Sequence, residues 1–166
     1  DGLLDPGTRF DLLGNSIVLV ASDTNAAPVK IGPDLDLAGL LDGGRLAMAL
    51  VDAVPAGIYG KAALDSLGLW PSVAPQVAQA DNVRAALSFV AVGAAPYGIV
   101  YASDAMASDK MTVVGTFPAD SHPPIIYPVA ALANRETAAT AAFMEYLRTP
   151  DARAMLDAEG FVTLAE

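Results

Sequence analysis

Cysteine is absent from the 166 residues, histidine and tryptophan occur once each, and 9 basic residues stand against 19 acidic ones. Without cysteine there is no disulfide framework, thiolate metal site or thiol nucleophile, and the redox compartment stays open. With a single histidine, His122, a zinc site built from His and Cys cannot be assembled. The formal net charge of -10 repels phosphate backbones and anionic headgroups, which argues against nucleic acid and membrane surfaces as partners. Long apolar runs are also missing. The best candidates, around Ile17 to Ala21 and Ile125 to Ala133, fall short of the ~20 residues of a membrane span, so direct membrane insertion is not expected. The chain starts at Asp1 with neither a basic nor an apolar leader region, and no export signal is readable from it.

What is present is apolar: 54% of the residues are hydrophobic and only 17% charged, enough to bury a core and to exclude intrinsic disorder. The length suits one domain or two small lobes. Short Val/Ile/Leu runs bounded by Gly, Pro and Asp alternate with Ala-rich stretches of helical spacing, the pattern of βα units, so the fold class is α/β. Strands are predicted at Ser16 to Ala21, Arg45 to Val51, Pro96 to Tyr101, Met111 to Phe117 and Ile125 to Leu132. Helices are predicted at Leu37 to Leu41, and from Pro55 to about Leu67 with Ile58, Ala62 and Leu64 to Leu67 inward. Further helices are expected after an Asp81 cap, after Ser103-Asp104, from Arg135 to Arg148, and from Pro150 to Ala158 with Thr149 as cap and Gly160 as stop.

The usual catalytic signatures are missing. No GxSxG elbow accompanies His122, and Ser121-His122-Pro123-Pro124 reads as a turn entering the next strand. Neither GxGxxG nor GxxxxGK[ST] occurs, and Asp104, Asp109 and Asp120 have no recognised metal-loop spacing. Two helix starts offer something else: Pro55-Ala56-Gly57 and Asn82-Val83. A helix N-terminus presents free N–H groups and about half a positive charge, an anion site that needs no Lys or Arg and so works in an acidic protein. In an α/β domain at large such starts are mostly ordinary βα junctions capped by side chains or water, and periodicity alone does not single these two out.

Five motifs in order carry a resemblance: Pro6-Gly7-Thr8-Arg9-Phe10 with Leu13-Gly14-Asn15-Ser16; Val54-Pro55-Ala56-Gly57-Ile58-Tyr59-Gly60-Lys61; Asp81-Asn82-Val83-Arg84; Gly98-Ile99-Val100-Tyr101 with Ser103-Asp104-Ala105; and Thr116-Phe117-Pro118 with Asp120-Ser121-His122. Together they make the chain similar to the periplasmic molybdate-binding proteins of ABC transporters. The resemblance implies a type II periplasmic-binding-protein-like α/β fold, with one complete lobe over residues 22–121. Residues 1–21 and 122–166 would form the C-terminal part of the other lobe, with Ser16 to Ala21 and Ile125 to Leu132 as crossing strands. It implies capture of molybdate, with tungstate as a second candidate, by the amides of Ala56 and Val83 and the phenol of Tyr101. These groups would contact the oxyanion, with no side chain on the metal, no cofactor and no chemical step. Arg84 and Lys61 would be surface or supporting groups. The implied partner is the membrane permease of an ABC importer, and the implied location the periplasm.

In the family the binding serines lie upstream of the PGTRF motif, which here begins five residues into the chain. The expectation is therefore a partial pocket, weaker binding than in a chain that has those serines, and possible self-association. Two other readings stay open from sequence: a cytosolic small-anion sensor domain of a transcription regulator, and a small-acid enzyme using His122.

Overall fold

The computed structural model describes residues 2–164 and divides into two compact units: residues 16–124, and residues 1–15 with 125–166.

The larger unit is built on a five-stranded sheet. In chain order its strands are β2 (Ile17–Ala21), β3 (Leu46–Ala49), β4 (Val77–Ala80), β5 (Tyr97–Tyr101) and β6 (Thr112–Thr116), arranged β4-β3-β5-β2-β6. β3 runs parallel to β4 and β5, whereas β2 runs antiparallel to both β5 and β6. The helices of this unit are α1 (Leu37–Leu41), α2 (Pro55–Ser66), α3 (Trp70–Val73), α4 (Val83–Ala91) and α5 (Ala102–Ala105). From β3 the chain moves outward to β4, then returns across β3 to β5. Crossovers of one hand must then lie on opposite sheet faces. Accordingly, Ala86 and Val90 of α4 and Ala105 of α5 share a buried cluster with Val18, Val20, Ala47 and Val100. Gly60 of α2 faces the side chains of Met48 and Ile99, which alternate with that set. Covered on both sides, β2 and β3 are buried at every position, which is why each reads as an unbroken apolar run.

The smaller unit holds a three-stranded antiparallel sheet ordered β7-β1-β8, from β1 (Phe10–Gly14), β7 (Ile126–Val129) and β8 (Val162–Thr163), with α6 (Ala138–Tyr146) and α7 (Pro150–Ala158). Here the PGTRF motif is a structural turn. Pro6–Thr8 form a 3-10 turn capped by Asp5, and the Thr8 hydroxyl donates to the Asp5 carbonyl at 2.8 Å while accepting from the Ala131 amide at 2.9 Å. The Arg148 guanidinium sits 3.9 Å from the centre of the Phe10 ring.

Several expectations need correction. Ser16 to Ala21 does not go with the first lobe: Ile17–Ala21 pairs along its whole length with β5 and belongs to the larger sheet, so the division falls at 15/16 and 124/125 rather than 21/22 and 121/122. β1, α3, β4 and β8 were not expected as elements; α3, β4 and β8 are only two to four residues long, too short for a periodic signal. Ile125 to Leu132 keeps only Ile126–Val129 as strand. The chain beyond turns its amides to other partners, Ala131 to the Thr8 hydroxyl and Ala133 to the Leu3 carbonyl. The helix expected from Arg135 starts at Ala138, because Asn134 adopts a left-handed φ of 60° and Thr137 is the cap. The inward face of α2 is Ala56, Gly57, Gly60, Ala63 and Leu64, not the face of Ile58, which is exposed. α2 thus packs by its small residues, at a distance from the sheet that a large side chain at Gly60 would prevent. The expectations for Thr149 and Gly160 at the two ends of Pro150–Ala158 match the structure.

Candidate functional site

Parallel strands place their carboxyl ends at one sheet edge, the edge where open α/β sheets bind ligands. The registers Ala49↔Ala80 and Ala47↔Gly98 put the ends of β3, β4 and β5 there together. Ala56, Val83 and Tyr101 all follow from those three ends.

Ala56 is the second residue of α2. Val54, the cap, is extended and makes no side-chain cap bond, and Pro55 has no N–H, so the Ala56 amide is the first donor of the helix. Gly57 lets this turn come down onto the end of β3: a Cβ there would fall on the carbonyl oxygens of Ala49 and Leu50. The connecting loop is held by Leu50 N–H to the Ala80 carbonyl, Val51 N–H to Gln79 Oε1 and Val54 N–H to the Leu50 carbonyl, each 2.9 Å.

Val83 is the first residue of α4. The cap is Asn82, not Asp81: its extended backbone directs Oδ1 to the Ala85 amide at 2.9 Å. That bond satisfies the third amide of the helix, while the Val83 amide stands at its open end.

Tyr101 closes β5, pairs with Ile17 and is half-buried. Its extended backbone caps α5, so Ser103 and Asp104 lie inside that short helix rather than before it. The sheet edge continues through Ala102 N–H to the Ser16 carbonyl and Phe117 N–H to the Ile17 carbonyl, both 2.9 Å.

The basic side chains nearby face carboxylates. Lys61 Nζ lies 2.7 Å from Asp52 Oδ1 and 5.5 Å from the Trp70 ring centre, and the hydrogen bond to Asp52 raises its pKa against a lowering by burial. Arg84 Nε is 3.8 Å from Asp104 Oδ1; the Arg84 side chain is 85% exposed and that of Asp104 14%. Burial pushes the Asp104 carboxyl up, and the Arg84 charge draws it down. The edge therefore offers the backbone N–H dipoles of two helix starts, with Lys61 and Arg84 each facing a carboxylate rather than standing as free cations, an arrangement that can hold an anion by dipoles.

The His122 ring is engaged by its backbone neighbour, with Nδ1 2.8 Å from the Pro123 carbonyl oxygen, and meets Tyr59 edge-on at 6.0 Å between centres. Among the described residues, no three of His, Asp and Glu gather as a metal-holding group, Asp104, Asp109 and Asp120 included. One residue at this edge, Gln79, has no signal in the sequence: it holds the β3–α2 loop by a contact that spans 28 residues. Asp104, read from sequence as a cap and as a possible metal ligand, faces Arg84 instead.

Comparison with known proteins adds the family. The molybdate-binding protein ModA of Escherichia coli is 45% identical over 159 residues, covering 95% of this chain and 62% of its own length. Among solved structures, a substrate-binding domain from Clostridium difficile superimposes with a TM-score of 0.81 at 27% identity, covering 98% of this chain and 69% of that one. The periplasmic molybdate-binding protein of Azotobacter vinelandii gives 0.75 at 25% identity, covering 99% and 71%. These neighbours share the type II periplasmic-binding-protein fold that the sequence leads one to expect. The chain spans about three fifths of the length of the curated relatives it matches. Residues 1–162 match the family described as bacterial extracellular solute-binding protein, and with that match and this fold the chain belongs to that family.

Proposed function

We propose that the chain captures molybdate, with tungstate as the nearest alternative, through the amides of Ala56 and Val83 and the hydroxyl of Tyr101. It would hand the anion to the membrane permease of an ABC importer from the periplasmic side. The observation that carries this reading is the convergence of three motif-bearing groups on the carboxyl edge of one sheet. The relatives from E. coli and A. vinelandii, which are molybdate-binding proteins, support the choice of anion.

Binding of this kind uses no chemical step. Hydrogen bonds to a charged group contribute roughly 1.5 to 3 kcal/mol each, so a few donors offset the cost of association. Amides and a phenol arranged as donors favour an anion carrying no proton of its own, which disfavours phosphate near neutral pH. Sulfate is discriminated by size. Self-association of the isolated chain belongs to the same proposal and rests on the apolar side chains exposed on the smaller unit.

Titration calorimetry with molybdate, sulfate and phosphate tests the reading, using the chain and its Tyr101→Phe variant. Molybdate is expected to bind best, and Tyr101→Phe to weaken it roughly 10- to 150-fold with the fold intact, since only the hydroxyl is removed. Equal affinity in the folded variant, or no preference for molybdate, overturns the proposal.

A further inference from the structure

The two amide-bearing helix starts come from neighbouring strands that separate just where the site begins. Along β3 and β4 the ladder runs from Leu46↔Val77 to Ala49↔Ala80, and its last backbone bond is Leu50 N–H to the Ala80 carbonyl. Past that point β4 turns through Asp81 and Asn82 into α4, while the chain from β3 continues through the loop to α2. Val51 is next in line on the β3 side. It is buried, and a buried amide needs a partner. The partner is a side chain: Gln79, opposite Met48 in the ladder, brings its Oε1 to within 2.9 Å of the Val51 nitrogen.

This bond, like Leu50 N–H to the Ala80 carbonyl before it, reaches β4, whereas two others that shape the loop do not. Val54 N–H to the Leu50 carbonyl holds the loop to itself, and Lys61 to Asp52 holds it to α2. The Gln79 bond instead ties the loop to β4, joining a residue five before Ala56 to one four before Val83. Both donors are rigid parts of helix ends, so their separation follows the separation of these two connections.

We propose that Gln79 is a positioning residue that sets the spacing between the Ala56 and Val83 amides, and through it the discrimination among tetrahedral oxyanions of different size; the inference rests on the oxyanion reading above. An acceptor at this place extends the ladder by one bond beyond the backbone's reach. Without it the Val51 amide is left to water, and the loop and α4 separate more freely.

The test is titration of molybdate and sulfate into the chain and three variants. Gln79→Leu removes the acceptor, Gln79→Asn keeps an amide but stops one methylene short, and Gln79→Glu keeps the acceptor and adds a charge. The first two are expected to weaken molybdate roughly tenfold and to shrink the molybdate-to-sulfate ratio by a similar factor. Gln79→Glu is expected to weaken both dianions alike through repulsion, relieved by salt, with the ratio kept. Should Gln79→Leu not fold, Gln79→Asn decides, since it preserves a polar group at this exposed strand position. An unchanged ratio in the folded Leu or Asn variant, or a collapsed ratio in the Glu variant, overturns the inference alone. A parent chain that shows no molybdate binding overturns the reading and the inference together.

Discussion

Asp104 lies three residues beyond Tyr101 with its side chain largely buried, and the cation facing it, Arg84, extends into solvent. Burial accordingly outweighs attraction, and the carboxyl is raised above its ordinary 3.8. A carboxyl raised in this way holds its proton more tightly in the folded chain than in the unfolded one. Its cost to stability is absent below 3.8, grows as pH rises through the raised folded value, and is complete above it. Asp104→Asn removes the charge and keeps the shape. The variant is expected to be more stable than the parent at neutral pH, with the difference vanishing in acid. Melting temperatures between about pH 3 and about pH 7 check this, and a difference constant across the range would point away from burial of the charge. Asp104 also shows a limit of residue-by-residue reading: the sequence presents an acidic residue near a presumed helix cap, whereas the fold makes it a half-hidden carboxylate within the helix.

At the scale of elements, α2 is the part whose geometry is least forgiving. Gly57 stands over the carbonyls of Ala49 and Leu50, and backbone cannot move aside as a side-chain tip can. Gly57→Ala must lift the first turn of α2 from the end of β3, which is expected to cost about 1 to 3 kcal/mol by the usual range for overpacking. The Ala56 amide moves with that turn, so oxyanion affinity should fall together with stability. Denaturant unfolding and titration of the same sample check both, and a variant as stable as the parent would mean that the turn has room the structure does not show. The start of α2 was legible in the chain because Pro55 at the first helical position is a local signal. Its buried face was not, because Ile58 looks like a core residue until the sheet is seen to approach on the side of Gly60.

At the scale of the whole molecule, exposed large apolar side chains are concentrated in the smaller unit, where Leu3, Leu4, Leu132, Phe143 and Met155 are each more than half exposed. Apolar surface of this kind promotes association, while a net charge of -10 opposes it over a range set by salt. The chain is expected to associate with rising concentration, more strongly as salt screens the repulsion, and less strongly when Phe143→Glu replaces one of these apolar side chains by a charge. Light scattering across concentration and ionic strength measures this; a monomer under all conditions would show that the exposed side chains do not act as a contact surface.

The sequence by itself determined the α/β class and most element starts, because those depend on neighbours along the chain: the buried run of Ile17–Ala21, Pro55 opening α2, and Thr149 capping α7. It also brought out Ala56, Val83 and Tyr101, the first two as helix starts and all three through motif resemblance. Only the tertiary structure decided which strands stand together. The chain alone does not say which sheet β2 joins, because a fully buried strand carries no mark of its partners, and its place between β5 and β6 is fixed by pairing with residues far along the chain. The same holds for the Gln79 bond to Val51, which spans 28 residues. Caps and turns are local and can be read from a short window; ladders, close approaches and side chains that substitute for backbone arise when distant segments meet, and no window contains them.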